Sequence, residues 1–303
     1  MSSDKPAAQA TPTKPHVLAV QNVKGGVGKT TIAVNLAALL AAKHAQRVLV
    51  IDADPQCNAS LYLLDDKSYG ERTREDEKGK PQRTEGNLYD VFHGEVAYLD
   101  PVTGQSYGPK RKPTRCDVEV KHFQGDNGSG RKGSLSLLCA SPQLFEVQEI
   151  AAEIVVSSIK KWLAQKQGAY DHVIIDCPPS ISSLSLSALK AADRILVPMR
   201  ADVFSIRGLP ILLRSVDKYK EILGIEATIA GVVLTMFPPE EETTRRIDAE
   251  RYAQSIADMC KAERPPIKCL TTRISMDQAY PESFASREPL PFSKRSRQDR
   301  AHQ

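Results

Sequence analysis

The chain contains no apolar run of the ~18 residues that a membrane-spanning helix requires, no CxxC pair, no internal repeat and no obvious helix-turn-helix segment. Each absence removes a class. Six cysteines (Cys57, Cys116, Cys139, Cys177, Cys260 and Cys269) are scattered through 303 residues. Without paired spacing they read as ordinary reduced thiols rather than a metal or disulfide framework. The first fifteen residues, MSSDKPAAQATPTKP, carry no apolar h-region and so do not read as a secretory signal. Their Ala, Pro, Ser and Thr content reads as a disordered tail. A cytosolic protein is expected.

What remains is enough to build a large core: 41% of residues are hydrophobic, which suits one large α/β domain over residues 16–296. The net charge is +4, unevenly placed. From Arg200 to Lys220 five basic residues face two acidic ones, and from Arg287 to the end the balance is again five to two, leaving 297–303 as a basic tail. Such clusters mark either a polyanion-binding surface or simply solvated faces.

HVLAVQN (16–22) is a short apolar run ending in turn formers, which predicts a buried strand. TTIAVNLAALLAAKHA (30–45) predicts a helix, with Ile32, Leu36, Leu39 and Leu40 at helical spacing. RVLVIDAD (47–54) is nearly continuous in apolar residues, as parallel strands covered on both faces are. Strand, glycine loop, helix and strand make a right-handed βαβ unit. Further strands are expected at 135–141, 170–176, 194–199 and 229–235, with helices at 144–165, 184–191, about 209–223 and about 243–261. The alternation predicts a doubly wound, mostly parallel sheet. Two stretches interrupt it. Residues 65–86 are almost wholly polar and read as an extended or disordered loop, and 100–133 read as an insertion containing an added β-hairpin.

Lys24-Gly25-Gly26-Val27-Gly28-Lys29-Thr30-Thr31 lies between the first strand and helix, the context a phosphate-binding loop requires. Glycines let backbone N–H groups turn towards phosphate oxygens, and the helix N-terminus adds a favourable field. Lys29 would reach the outer phosphates and the Thr30 hydroxyl would ligate Mg²⁺. The strict G-x-x-x-x-G-K-[ST] pattern fails at its first position, where Val23 stands. The second strand delivers Asp52 and Asp54, and VIIDCPPSIS (173–182) delivers Asp176 before Pro178-Pro179 stops the strand. Carboxylates at the C-terminal edge of a parallel sheet sit where ligands bind. The competing use of such an aspartate is to cap the helix that follows.

KGGVGKTT resembles the deviant Walker A motif of the ParA/MinD superfamily of P-loop ATPases, and DADPQCNAS (52–60) resembles the ParA-type Walker A′ motif, with Cys57 where glycine is common. The resemblance continues through NLYDVFHGEV (87–96), VPMRADVFSIRGLPILL (197–213), GVVLTMF (231–237) and TTRISMDQAYPESFASREPLPFSKRS (271–296), with Asp202 where the family has glutamate. It implies ATP and Mg²⁺ as cofactors and nucleotide binding through residues 24–31. Lys24 becomes the signature lysine that reaches the nucleotide of a second subunit, Asp54 the organiser of the attacking water, and Thr30, Asp52 and Asp176 the Mg²⁺ shell, partly through water. It also implies slow hydrolysis, an ATP-dependent homodimer and non-specific DNA binding. Basic candidates for DNA are Arg214, Lys218, Lys220, Arg245, Arg246, Lys294, Arg295, Arg297 and Arg300.

Within that superfamily the membrane branch ends in an amphipathic helix, and KRSRQDRAHQ has no apolar face. Metalloenzyme-reducing branches need clustered cysteines, and Cys260 and Cys269 stand nine apart. The expectation is a ParA/Soj-type partition ATPase, nucleoid-associated, with a ParB-like or other cargo adaptor as partner. The rival is a regulatory or assembly switch that holds protein partners through the two insertions. A small-molecule kinase or synthetase gives Lys24 no role.

Overall fold

In a computed structural model, the structure describes residues 14–74, 86–93, 98–99, 106–107, 116–120, 125–126, 132–150 and 152–292. The basic tail candidates Lys294, Arg295, Arg297 and Arg300, and most of both insertions, lie outside them.

Among the described residues, eight strands run in order across a nine-stranded main sheet: β1 (His16–Val20), β2 (Arg47–Asp52), β3 (Asp117–Glu119), β4 (Lys132–Leu138), β5 (His172–Asp176), β6 (Arg194–Arg200), β7 (Thr228–Phe237) and β8 (Cys269–Ser275). Their order across the sheet is β8-β7-β6-β1-β5-β2-β4-β3. Every pair along that order is parallel except the edge pair β3–β4, and the short ninth strand, Gly125–Asp126, also pairs antiparallel with β4. The expected hairpin is therefore present as an antiparallel edge, with Asp117 opposite Leu138.

Alternation along each strand divides the core. Val17, Ala19, Leu49, Ile51, Val173 and Ile175 face one side, where the helices α5 (Ala152–Ala164), α6 (Ser183–Ala191), α7 (Val203–Leu223) and α8 (Thr243–Ala262) cover them. Val20, Val48, Val50, Leu135 and Leu137 face the other, under Ile32, Ala33, Ala37, Ala38 and Ala41 of α1 (Lys29–His44). Successive strand residues point to opposite faces, so both layers are needed to bury both sets. Alanines let α1 lie close. A Cβ on Gly133 of β4 would stand 2.1 Å from the Ala41 carbonyl oxygen, so only glycine fits there.

Four expectations need correction. Residues 66–73 are not an extended loop but a short helix, α3, capped by Asp65, whose side chain accepts from the Ser68 N–H at 2.7 Å. The single helix expected at 144–165 is two elements: a 3₁₀ segment (Pro142–Glu149), then α5, with Ile150 extended between them (φ −81°, ψ 143°) and packed on the core. α7 starts six residues before the expected Leu209, because Asp202 caps it and Pro210 is carried inside the helix. Finally β8, not expected as a strand, extends the sheet beyond β7. It leads to α9 (Ala279–Ala285) and brings the C-terminal segment back over α1.

Candidate nucleotide site

β1 and β2 flank β5 in register, so Val20, Asp52 and Asp176 end level with one another at the C-terminal edge of the sheet. The loop after β1 arches over this edge. Gly26 (φ 66°) and Gly28 (φ 82°) adopt left-handed backbone, and a Cβ on Gly25, Gly26 or Gly28 would meet nothing within 4 Å. The loop thus encloses open space lined by backbone. Lys29 opens α1 with its side chain turned back under the loop, its Nζ donating to the Lys24 carbonyl at 3.2 Å. Burial lowers its pKa, against the attraction of Asp176 and Asp54.

The three carboxylates are not equivalent. Asp52 is fully buried; its Oδ2 accepts from the Ser60 N–H at 2.8 Å and the Ser60 Oγ at 2.7 Å, and its Oδ1 from the Asp54 N–H at 3.2 Å. Burial raises its pKa to about 7, with those hydrogen bonds opposing. The helix α2 (Asn58–Leu63) follows Cys57, whose left-handed backbone (φ 60°) provides no side-chain cap. Asp52 therefore satisfies an N–H in the first turn of α2, so the capping use holds for it from a distance of eight residues. Asp54 lines the cleft, and its Oδ1 accepts from the Gln56 N–H at 2.9 Å. Burial raises its pKa too, against Lys29.

Asp176 is the outlier. It is fully buried, and neither carboxylate oxygen has a hydrogen-bond partner of ordinary geometry among the described residues. Burial first, then the charges of Asp52 and Asp54, raise its pKa well above the carboxylate range, with Thr30 and Lys29 opposing. An orphaned buried carboxylate beside a threonine hydroxyl fits a cation or the water that a cation holds. Among the described residues no three His, Cys, Asp or Glu side chains could hold a metal by themselves. Mg²⁺ keeps several waters and takes ligands from phosphates, so Asp176 and Thr30 would hold it with water and the nucleotide completing its shell.

A cleft of 490 Å³ runs from the glycine loop past Asp54, Gln56 and Asn58 to Ile274, Met276, Tyr280 and Phe284. One wall is backbone and charge; the other is apolar and aromatic, with Phe284 edge-on to Tyr62 at 5.1 Å between ring centroids. The aromatic wall is pinned by Tyr62 Oη and Ser283 Oγ at 2.5 Å and by the Leu290 N–H donating to Asn35 Oδ1 at 2.8 Å. Sequence reasoning missed several supports. The Thr235 hydroxyl donates to the Val27 carbonyl at 2.9 Å, tying β7 to the loop. Asn22 donates to the Pro198 carbonyl at 2.7 Å and accepts from the Lys24 N–H at 3.0 Å. Asn22, immediately before the loop, was the one with a local signal.

Lys24 does not line this cleft. Its ammonium lies on the neighbouring β6–α7 turn, 2.8 Å from Asp202 Oδ2 and 5.3 Å from the Phe204 ring centroid. Among the basic candidates, Arg214 and Lys218 are exposed on α7 with no ion pair among the described residues. Lys220 lies 4.0 Å from Asp217, while Arg245 pairs with Glu242 at 2.5 Å and Arg246 with Glu240 at 3.6 Å.

Comparison with known proteins follows the same lines. Residues 15–229 match the AAA domain family. The chromosome partitioning protein ParA of Caulobacter vibrioides is 33% identical over 232 residues, which cover 77% of this chain and 73% of that one. Cobyrinic acid a,c-diamide synthase from Mycobacterium smegmatis, solved with an ATP analogue and magnesium, aligns with a TM-score of 0.61 at 26% identity, covering 90% of this chain and 91% of that one. The Cyanothece McdA–ATP complex aligns with a TM-score of 0.66 at 21% identity, covering 92% and 90%, a likeness of fold.

Proposed function

This chain belongs to the AAA-domain family of the ParA partition proteins, and on that premise we propose that it is an Mg²⁺-dependent ATPase whose nucleotide state controls dimerisation and DNA binding. The observation that carries the reading is the divergence of the loop's two lysines: Lys29 is buried beneath the loop and Lys24 stands outside its own cleft. A lysine on the loop that serves no local phosphate is available to another subunit's.

Residues 25–31 would cradle the phosphates, with Lys29 neutralising the outer ones. Thr30 and Asp176 would hold Mg²⁺, with Asp52 behind them. Asp54 would orient the attacking water, and the Ile274–Phe284 wall would take the base. The bound cation would supply charge neutralisation of the transferring phosphoryl group; the protein's part is positioning and exclusion of bulk water. Arg214 and Lys218 are the basic residues best placed to meet DNA phosphates, contacts that would be steeply salt-dependent and blind to sequence. A ParB-like or other cargo adaptor would then trigger hydrolysis and release at the nucleoid.

Lys29→Ala is expected to abolish nucleotide binding in a fluorescent-ATP titration. Asp54→Ala is expected to leave an ATP-bound, DNA-retaining dimer with no turnover; normal phosphate release by this variant would remove Asp54 from the chemistry. Titrating non-specific duplex DNA with and without ATP, then at higher salt, separates this reading from a switch that holds only protein partners. Binding that is absent or indifferent to ATP would favour the second.

A further inference from the structure

The contact of Lys24 with Asp202 has a chemical consequence beyond the placement of either residue. Asp202 carries out two tasks with two oxygens. Its Oδ1 accepts from the Ser205 N–H at 2.8 Å and caps α7, while its Oδ2 takes the Lys24 ammonium at 2.8 Å. Arg200 Nε stands 3.7 Å from the same Oδ2. The turn beneath Lys24 is fixed independently, because Asn22 bridges the Lys24 N–H and the Pro198 carbonyl. The lysine's side chain, not its backbone, is therefore the part free to move.

We propose that Asp202 is a positioning residue that latches Lys24 within its own subunit and must release it before Lys24 can bind the triphosphate held by a second copy of this chain. The inference rests on the reading of Lys24 as a residue acting on the partner's nucleotide. Three features suit Asp202 to a reversible hold. The ion pair is partly solvated, with one third of the lysine side chain and one quarter of the aspartate exposed, so breaking it is cheap. Asp202 is not left uncompensated when Lys24 departs, since the Ser205 N–H and Arg200 remain. A triphosphate offers several negative charges where Asp202 offers one, so it outcompetes the carboxylate once it is in reach. Phe204, 68% exposed beside the ammonium, supplies a ring face that further favours the docked position in the free subunit. The latch thus sets a threshold for dimerisation rather than a block.

Asp202→Asn is the discriminating variant, because asparagine caps a helix as well as aspartate does while removing the charge. Two measurements are read on the full chain. In the nucleotide-free monomer, trace acetylation followed by mass spectrometry should show Lys24 modified several-fold faster in Asp202→Asn than in the parent, with exposed Lys43 unchanged as the internal reference. With a non-hydrolysable ATP analogue and Mg²⁺, sedimentation should show dimerisation at lower protein concentration. A partly solvated ion pair of this kind corresponds to roughly threefold per subunit, and a symmetric dimer breaks two of them, giving roughly tenfold. Asp202→Glu keeps the charge but not the cap, so it should leave Lys24 labelling near the parent's, and thermal unfolding should confirm that the cap survives in Asp202→Asn.

Unchanged Lys24 labelling, or dimerisation equal to or weaker than the parent's, overturns the latch. Lys24→Ala separates the two levels. If Lys24→Ala stays monomeric while Asp202→Asn matches the parent, the trans role stands and the latch alone falls. If Lys24→Ala dimerises like the parent, or the parent itself stays monomeric, the trans role fails and takes the latch with it.

Discussion

Cys269 shows how far a residue's chemistry can depend on a neighbour it meets only in the fold. It begins β8, and Cys260 lies in the last turn of α8, buried. A hydrogen bond between the two thiols lowers the Cys269 pKa to about 7, helped by Arg273 and Lys261 and opposed by burial, while the Cys260 pKa is raised. The other four cysteines are all buried, and burial pushes Cys57, Cys116 and Cys139 to about 12. Thiolate is the nucleophile, so iodoacetamide at pH 7 is expected to alkylate Cys269 first, with a rate that rises through about pH 7. Peptide mapping checks this, and alkylation spread evenly over the cysteines would contradict it. As a sequence, the spacing of nine residues gives no hint of the pairing, because the intervening turn brings the two together. The places of Lys29, Asp54 and Asp176 around the glycine loop are the opposite case: each was legible because it stands at a helix start, at a strand end or just past one. Thr235 and Ser283 were not, because their partners Val27 and Tyr62 lie 208 and 221 residues away.

At the scale of elements, the antiparallel edge β3 is held by a buried polar cluster. Asp117 accepts from Lys166 Nζ at 2.6 Å and from Tyr170 Oη at 2.5 Å, joining the inserted strand to the chain after α5. Burial alone would raise the Asp117 pKa, but these partners outweigh it and hold the carboxyl below its ordinary value. A carboxylate depressed in the folded state contributes stability that is fully present above its unfolded pKa of about 3.9 and is lost as pH falls through the folded value. Asp117→Asn is therefore expected to cost about 1–3 kcal/mol at pH 7. The difference from the parent should shrink below about pH 4. Urea unfolding at both pH values checks it; a gap that widens on acidification would contradict the account. The misplaced elements turn on single residues. The expected start at Leu209 put Pro210 in the first turn, where proline is tolerated, yet Asp202 caps α7 from Val203 and leaves Pro210 inside the helix. Ile150 has helical periodicity with its neighbours, yet packing on the core holds it extended and splits the expected helix.

At the scale of the molecule, the cleft is walled by segments from both ends of the chain. The glycine loop follows the first strand, whereas Ile274 stands in the last strand and Met276, Tyr280 and Phe284 follow it. Side chains that tie this wall to α1, α2 and α3 include the Tyr62–Ser283 contact, the Asn35–Leu290 hydrogen bond and the ion pair of Arg287 with Asp66 at 2.6 Å. A nucleotide spanning both walls would bind only the folded chain, so it stabilises by mass action, by about 2.7 kcal/mol at a hundredfold excess over Kd. For a domain of this size that is a rise of roughly 5–10 °C in Tm. MgATP should produce it in a thermal melt, and Lys29→Ala should abolish it. Ser283→Ala removes the hydroxyl that both meets Tyr62 and donates to the Glu288 carbonyl at 2.6 Å. It should lower the unliganded Tm modestly and also reduce the MgATP shift, because the aromatic wall must then be ordered at the expense of binding. If Ser283→Ala lowers the Tm but keeps the full MgATP shift, the C-terminal wall supports the fold without contributing to the ligand site.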